Sequence, residues 1–186
     1  MKLAKIAKNV KEPNKKNIVL VGHMGSGKSL LGKLIAKKIN YIHKDSDNLV
    51  EKLTGKKIKD IFEDRGELYF RELEEKTIID ISIKNNLVLS LGGGAILSPK
   101  VRKFIEEKFL SVFLDVNITS LVNRLKNSQK RPLLNNVNIK TKIKELDIIR
   151  RKYYLLSDII LTKHNDRIET MVEFENKYVS FYEKRN

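Results

Sequence analysis

The chain has no cysteine in its 186 residues. That absence excludes a disulfide framework and a thiolate metal site, and it suits a reducing, cytoplasmic setting. No stretch approaches the ~20 consecutive apolar residues of a membrane-spanning helix, so no membrane partner is expected. The lysine-rich start, MKLAKIAKNVKEPNKKN, lacks the continuous apolar core of a signal peptide. With 3 prolines and 9 glycines, the chain is neither fibrous nor of disordered composition. Acidic residues are in deficit, with 23 Asp and Glu against 38 Lys and Arg, for a net charge of +15. A balance of that sign suits nucleic acid, or a lysine-rich surface around a site for anions. The lysines are dispersed and form no arginine patch interleaved with aromatics, which favours the second reading, with no nucleic-acid partner.

The hydrophobic content of 41% and the length fit one domain with a sizeable core. Residues 1–16 read as a basic, frayed extension. From residue 17, short apolar runs alternate with stretches of helical spacing. Strands are expected at 17–21, 41–45, 87–91, 111–116 and 158–162. Helices are expected at 29–39, 46–54, 58–84 with breaks near Gly55 and Gly66, 98–108, 118–127, 139–156 and 167–182. Ser98 followed by Pro99 marks a helix start, and residues 128–136 read as a polar loop. Alternation of this kind predicts a parallel sheet covered on both faces, with ligands beyond the carboxyl ends of its strands.

The glycine clusters fall at those ends. Gly22, Gly27, Lys28 and Ser29 match G-x-x-x-x-G-K-[ST] between a strand and a helix. Glycine lets the backbone N–H groups converge on a phosphate, and the helix that follows adds the positive end of its dipole. Lys28 is placed to reach the outer phosphates and Ser29 to bind Mg²⁺. The pattern implies a nucleoside triphosphate without saying where its phosphate goes. His23 occupies a position the pattern leaves free and is read as a bystander, as are His43 and His164.

Asp45 and Asp47 flank Ser46 at the end of the second strand. The Asp-Ser-Asp stretch reads either as a helix N-cap or as a Mg²⁺ carboxylate beside a base for an attacking hydroxyl, and the two roles are compatible. Arg71 and Glu74 share a helix face beside Phe70; taken alone they would be an exposed ion pair. Gly92, Gly93 and Gly94 follow a buried strand, as a tight turn or as a place where backbone approaches a ligand. Arg131 lies in the polar loop, where a mobile arginine suits phosphoryl transfer; Arg150 and Arg151 lie near a helix end.

Taken in order, GHMGSGKS, DSD, DIFEDRGELYFRELEE, SLGGGA, KRPLL and RRKYYLLSD resemble the shikimate kinase family, from about residue 17 to residue 162. The resemblance implies an α/β three-layer P-loop kinase: a five-stranded parallel sheet flanked by helices, with a small lid at about 126–138, in a domain spanning 17–186. It implies phosphorylation of shikimate by ATP to shikimate 3-phosphate, on the way to chorismate and the aromatic amino acids. It also implies ATP as co-substrate, one Mg²⁺ per subunit and a monomer. By motif match, Gly25, Ser26, Gly27, Lys28, Ser29 and Leu30 hold ATP with Arg124 and Arg131, and Ser29 and Asp45 hold the metal. Asp47, Arg71, Glu74, Gly93, Gly94 and Arg150 are implied to bind shikimate, with Asp47, Lys28 and Arg131 as the catalytic set. One departure is Lys152, where the family commonly has proline before the tyrosine; Arg151 stays open beside Arg150 as the second substrate arginine. TKHNDR lacks a clear adenine-loop signature. Two rivals stand beside this reading. One is a gluconate-type kinase on the same scaffold, and the other is a basic nucleic-acid binder that uses ATP as a switch.

Overall fold

A computed structural model describes residues 17–81, 86–126, 132–134, 137–162 and 166–184. In chain order the elements are β1 (Asn17–Val21), α1 (Lys28–Ile39), β2 (Ile42–Asp45), α2 (Ser46–Thr54), α3 (Ile58–Ile79) and β3 (Leu87–Ser90). They are followed by α4 (Pro99–Lys108), β4 (Phe109–Leu114), α5 (Ile118–Leu125), α6 (Ile139–Tyr154), β5 (Ile159–Leu161) and α7 (Arg167–Glu183). Short 3₁₀ turns cover Ala95–Leu97 and Pro132–Leu134.

The five strands form one parallel sheet in the order β2-β3-β1-β4-β5. Every residue of β1, β3 and β4 is buried, which is why these strands read as unbroken apolar runs rather than alternating ones. The period of two still sorts their side chains. Ile18 and Leu20 pack with Leu31 and Ile35 of α1 and Phe174 and Tyr178 of α7 on one face. Val19 and Val21 pack with Ile78 of α3, Val101 of α4 and Tyr154 of α6 on the other. Each fully buried Ile, Leu or Phe contributes roughly 1.5–3 kcal/mol, so the central strands anchor both layers.

Several boundaries differ from the expectation, those of β4 and α3 among them. β4 starts at Phe109 rather than 111, because α4 runs straight into the sheet and Phe109 pairs with Asn17. The helix expected over 58–84 ends at Ile79. Its break at Gly66 is present, with φ 78° and ψ 176°, a conformation in which a β-carbon would be strained. The break turns the segment carrying Arg71 and Glu74 toward the sheet edge. Ser98 caps α4 as expected, its hydroxyl accepting from the Val101 N–H.

The extension 1–16, His164 and Arg131 with most of the lid region lie outside the described residues. No helix among the described residues is long and apolar enough to cross a membrane.

Candidate active site

β1, β2 and β3 deliver three loops to one edge of the sheet. The chain leaves β1 into residues 22–27, where Gly22, Gly25 and Gly27 all have positive φ. Lys28 starts α1 and turns back over this loop, donating to the carbonyls of Gly22 (2.8 Å) and His23 (2.7 Å) and to Ser26 Oγ (3.4 Å). The loop is thereby closed around the ammonium. Arg124, from α5, braces it from outside, donating to the carbonyls of Gly25 (3.2 Å) and Ser26 (3.4 Å). Leu30 faces the open side of the loop, half exposed.

Asp45 ends β2 and does two things at once. One carboxylate oxygen caps α2 by accepting from the Asp47 N–H (3.0 Å), and the other accepts from the Ser29 hydroxyl (2.5 Å). The N-cap reading of the Asp-Ser-Asp stretch is present in the structure, and the same carboxylate also reaches Ser29. Ser46, which the sequence did not single out, is fully buried and accepts from the Gly92 N–H (2.8 Å), fastening β3's exit to α2. A cleft of about 870 Å³ runs between these loops, lined by Lys28, Ser29, Asp45, Asp47, Gly92 and Gly93 among others.

Past Asp47 the cleft narrows into a second pocket bounded by Arg71, Glu74, Gly92, Gly93, Gly94 and Arg150, with Ile58, Phe62 and Phe70 as its apolar side. Arg71 donates to Glu74 (2.6 Å) and Glu67 (3.0 Å). The pair is not an exposed bridge, since Glu74 is 1% exposed. Burial pushes the Glu74 carboxyl above its usual range; Arg71 opposes this and Asp47 adds to it. Burial also works against the Arg71 charge, but Glu74 and Glu67 outweigh it and hold its pKa up.

The glycines leave room for the side chains packed against them. A β-carbon on Gly94 would sit 2.5 Å from both terminal nitrogens of Arg71, and one on Gly92 2.7 Å from Asp47 Oδ1. On Gly93 it would come within 3.3 Å of Arg150 Nη1.

Arg150 and Arg151 part company. Arg151 makes a bidentate bond to Asp115 at the end of β4 (2.7 and 2.8 Å) and lies outside the pocket. Arg150 is 2% exposed, faces Gly93, and has no hydrogen-bond partner at Nε or Nη1 among the described residues. Burial lowers its pKa. Tyr154, one turn on, donates to the Gly93 carbonyl (2.5 Å) and is itself pushed up to about 12 by burial. Of the two arginines, burial and position set Arg150 in the pocket and Arg151 outside it.

Across the loop from the cleft, Arg124, Leu34, Leu114, Asp166, Arg167 and Thr170 line a third cavity of about 330 Å³ next to Gly25–Gly27. Asp166, Arg167 and Thr170 carry no local motif and were missed in sequence, because only the packing of α7 brings them beside the loop. His23 is likewise no bystander: it is 4% exposed and bonded to Asp147 on α6 (2.8 Å). His43 shares a bond with Ser90 (3.0 Å).

The geometry has the parts of a phosphate cradle joined to an anion pocket, and comparison with known proteins names the family. The family model for shikimate kinase matches residues 24–178. This chain belongs to the shikimate kinase family. The shikimate kinase of Sulfurihydrogenibium sp. (strain YO3AOP1) is 44% identical over 158 residues, 85% of this chain and 94% of that one. Among solved structures, the shikimate kinase from Acinetobacter baumannii in complex with shikimate superposes with a TM-score of 0.85 at 29% identity, covering 97% of this chain and 99% of that one. A gluconokinase from Sinorhizobium meliloti shares the fold alone, with a TM-score of 0.56 at 18% identity over 92% of this chain and 95% of that one. Shikimate kinase is thus the family, and the gluconate-type rival is only a distant relative of its scaffold.

Proposed function

We propose that this chain transfers the terminal phosphoryl group of ATP to the 3-hydroxyl of shikimate, with the roles divided as follows. The backbone of Gly25–Ser29 and the Lys28 ammonium hold the phosphates. Lys28 exchanges its carbonyl partners at Gly22 and His23 for phosphate oxygens. Arg124, with Asp166, Arg167 and Thr170, flanks the nucleoside end, where the third cavity adjoins the loop. Ser29 and Asp45 present two hard oxygens 2.5 Å apart at the cradle's rim, a donor set suited to Mg²⁺, which keeps several waters. When bound, Mg²⁺ supplies charge neutralisation at the outer phosphates.

On the acceptor side, Arg150 and Arg71 take the carboxylate of shikimate, which matches the planar guanidinium fork. Glu74 orients Arg71. Gly92, Gly93 and Gly94 let the ring lie against backbone. Asp47, at the junction of cleft and pocket, accepts the proton of the attacking hydroxyl; the oxygen bonds to phosphorus as the bond to ADP breaks. Arg131 belongs to the lid in this proposal, bringing positive charge to the transferring group. The absence of cysteine supports a cytoplasmic location. Many surface lysines pair with acids of different elements, among them Lys56 with Asp64 and Lys100 with Glu75, which supports reading the +15 charge as a solvated surface.

The observation that carries the acceptor assignment is Arg150. A guanidinium almost wholly removed from water, with two nitrogens unpartnered, is a costly feature that an anionic ligand would relieve. ADP release by the purified protein with ATP and Mg²⁺ tests the reading, using shikimate, gluconate and AMP as acceptors. Stimulation by shikimate alone is expected; stimulation by another acceptor, or none, would overturn it.

A further inference from the structure

The phosphate loop and the acceptor wall are built on different elements, and a side-chain hydrogen bond ties them directly. His23 projects from the loop into the protein and is 4% exposed. Its Nε2 lies 2.8 Å from Asp147 Oδ1 on α6. A carboxylate only accepts, so Nε2–H donates. The ring meets Tyr154 edge-on, with centroids 5.2 Å apart, and Tyr154 holds the Gly93 carbonyl. Asp147 sits one helical turn before Arg150 and is itself placed by Arg151 (3.7 Å), which β4 fixes through Asp115. On the loop side, the His23 carbonyl accepts from both Lys28 Nζ (2.7 Å) and the Ser26 N–H (3.2 Å). One residue therefore touches the lysine of the donor site through its backbone, and the helix of the acceptor arginine through its side chain.

We propose that His23 and Asp147 are positioning residues for phosphoryl transfer: their hydrogen bond sets the distance between the phosphate loop and the acceptor wall of α6. The inference rests on the assignment of Arg150 to the acceptor. In-line transfer needs donor phosphorus and acceptor oxygen in near-contact geometry, and a displacement of about 1 Å can cost up to ~10²-fold in rate. Neither side chain touches substrate in this scheme. Each acts through what it holds, His23 through the loop and Asp147 through α6. The bond works with a neutral imidazole. The charged groups facing it are Asp147, Arg150 and Lys28, and burial lowers its pKa despite Asp147.

The test compares the unmodified protein with His23→Leu, Asp147→Leu, the double variant and Asp147→Asn, by steady-state kinetics and thermal melting. Each Leu variant breaks the bond; Asp147→Asn keeps an acceptor oxygen for it. The expected result is a kcat loss of ~10-fold or more in both single Leu variants, with the KM for ATP within about twofold, and near-normal kcat in Asp147→Asn. Asp147→Leu leaves the buried His23 Nε2 without its acceptor and the double variant removes that group, so the double variant should melt above Asp147→Leu. It should not recover kcat. Recovery of kcat in step with stability would make the bond merely structural and overturn the proposal. So would an unchanged kcat in both single variants, or loss of kcat in Asp147→Asn as deep as in Asp147→Leu. Absence of shikimate-dependent turnover in the unmodified protein would be a different failure, since it removes the acceptor assignment and this inference with it.

Discussion

The donor and acceptor halves of the cleft satisfy their polar groups in opposite ways. The phosphate loop is closed on itself: Lys28 has the carbonyls of Gly22 and His23, and Ser29 has Asp45. The acceptor wall is open. Among the described residues, Arg150 lacks partners at two nitrogens and Glu74 at Oε1, although both are almost completely buried. A cationic side chain that already has internal acceptors can fold into place before its ligand arrives. A buried cation without them costs stability until an anion completes it. The contrast places stored strain on the acceptor side, where discrimination among acceptors must occur.

Four tests, with six substitutions among them, would break or sharpen this contrast. The largest effect is expected from Asp47→Asn at the junction of the two halves. General-base catalysis contributes about 10²–10⁴-fold, so kcat should fall in that range with melting temperature unchanged. A loss under tenfold in a shikimate kinetic assay would move the base elsewhere.

Next, Arg150→Met and Lys28→Met should diverge. Arg150→Met removes a buried charge with unpaired nitrogens, so melting temperature should hold or rise while the KM for shikimate rises by roughly 10–100-fold. Lys28→Met removes the bonds that close the loop, so it should lower melting temperature as well as kcat. Equal destabilisation of the two, measured by calorimetry, would erase the distinction between the halves.

A smaller effect separates two glycines. Gly94→Ala drives a methyl into Arg71 and should raise the KM for shikimate by about tenfold through that displacement. Gly55→Ala has open space and only a φ of 69° to strain, so it should cost about 1 kcal/mol of stability and no turnover. A shikimate KM unaltered by Gly94→Ala would mean that Arg71 is not held where the pocket needs it.

The smallest expected effect is a pH slope. Burial raises the folded Glu74 carboxyl above its unfolded value, so the folded state binds its proton more tightly. The stability this group contributes is full below the unfolded value of 4.5 and is lost as pH rises through the folded pKa. Glu74→Gln has no such loss. Its stability relative to the unmodified protein, from denaturant unfolding, should therefore improve as pH rises above about 4.5. A difference independent of pH would show that Arg71 fully compensates the buried carboxylate.

Much of this was legible along the chain because the signals are local. A run such as NIVLV can be satisfied only by burial on both faces. A glycine-rich turn before a lysine and a serine has one well-understood use, and Ser98–Pro99 starts a helix by its own chemistry. Arg71 and Glu74 were visible as a pair, but i,i+3 spacing is the same on an exposed face and a buried one; only α3's turn at Gly66 and the packing of the glycines over Arg71 set them inside. Asp147 had no signal at all, being one of two acids on α6 with no motif around it.

The sequence alone determined the order of strands and helices, the phosphate cradle and the residue types an anionic, hydroxylated acceptor requires, because each follows from short-range periodicity or from the chemistry of a few adjacent residues. The tertiary structure decided which arginine faces the pocket, the bond between His23 and Asp147, and the placement of Asp166, Arg167 and Thr170 beside the phosphate loop. Those depend on distances between segments far apart in the chain. Such distances are set by how the helices pack on a twisted sheet, not by any residue's neighbours in sequence.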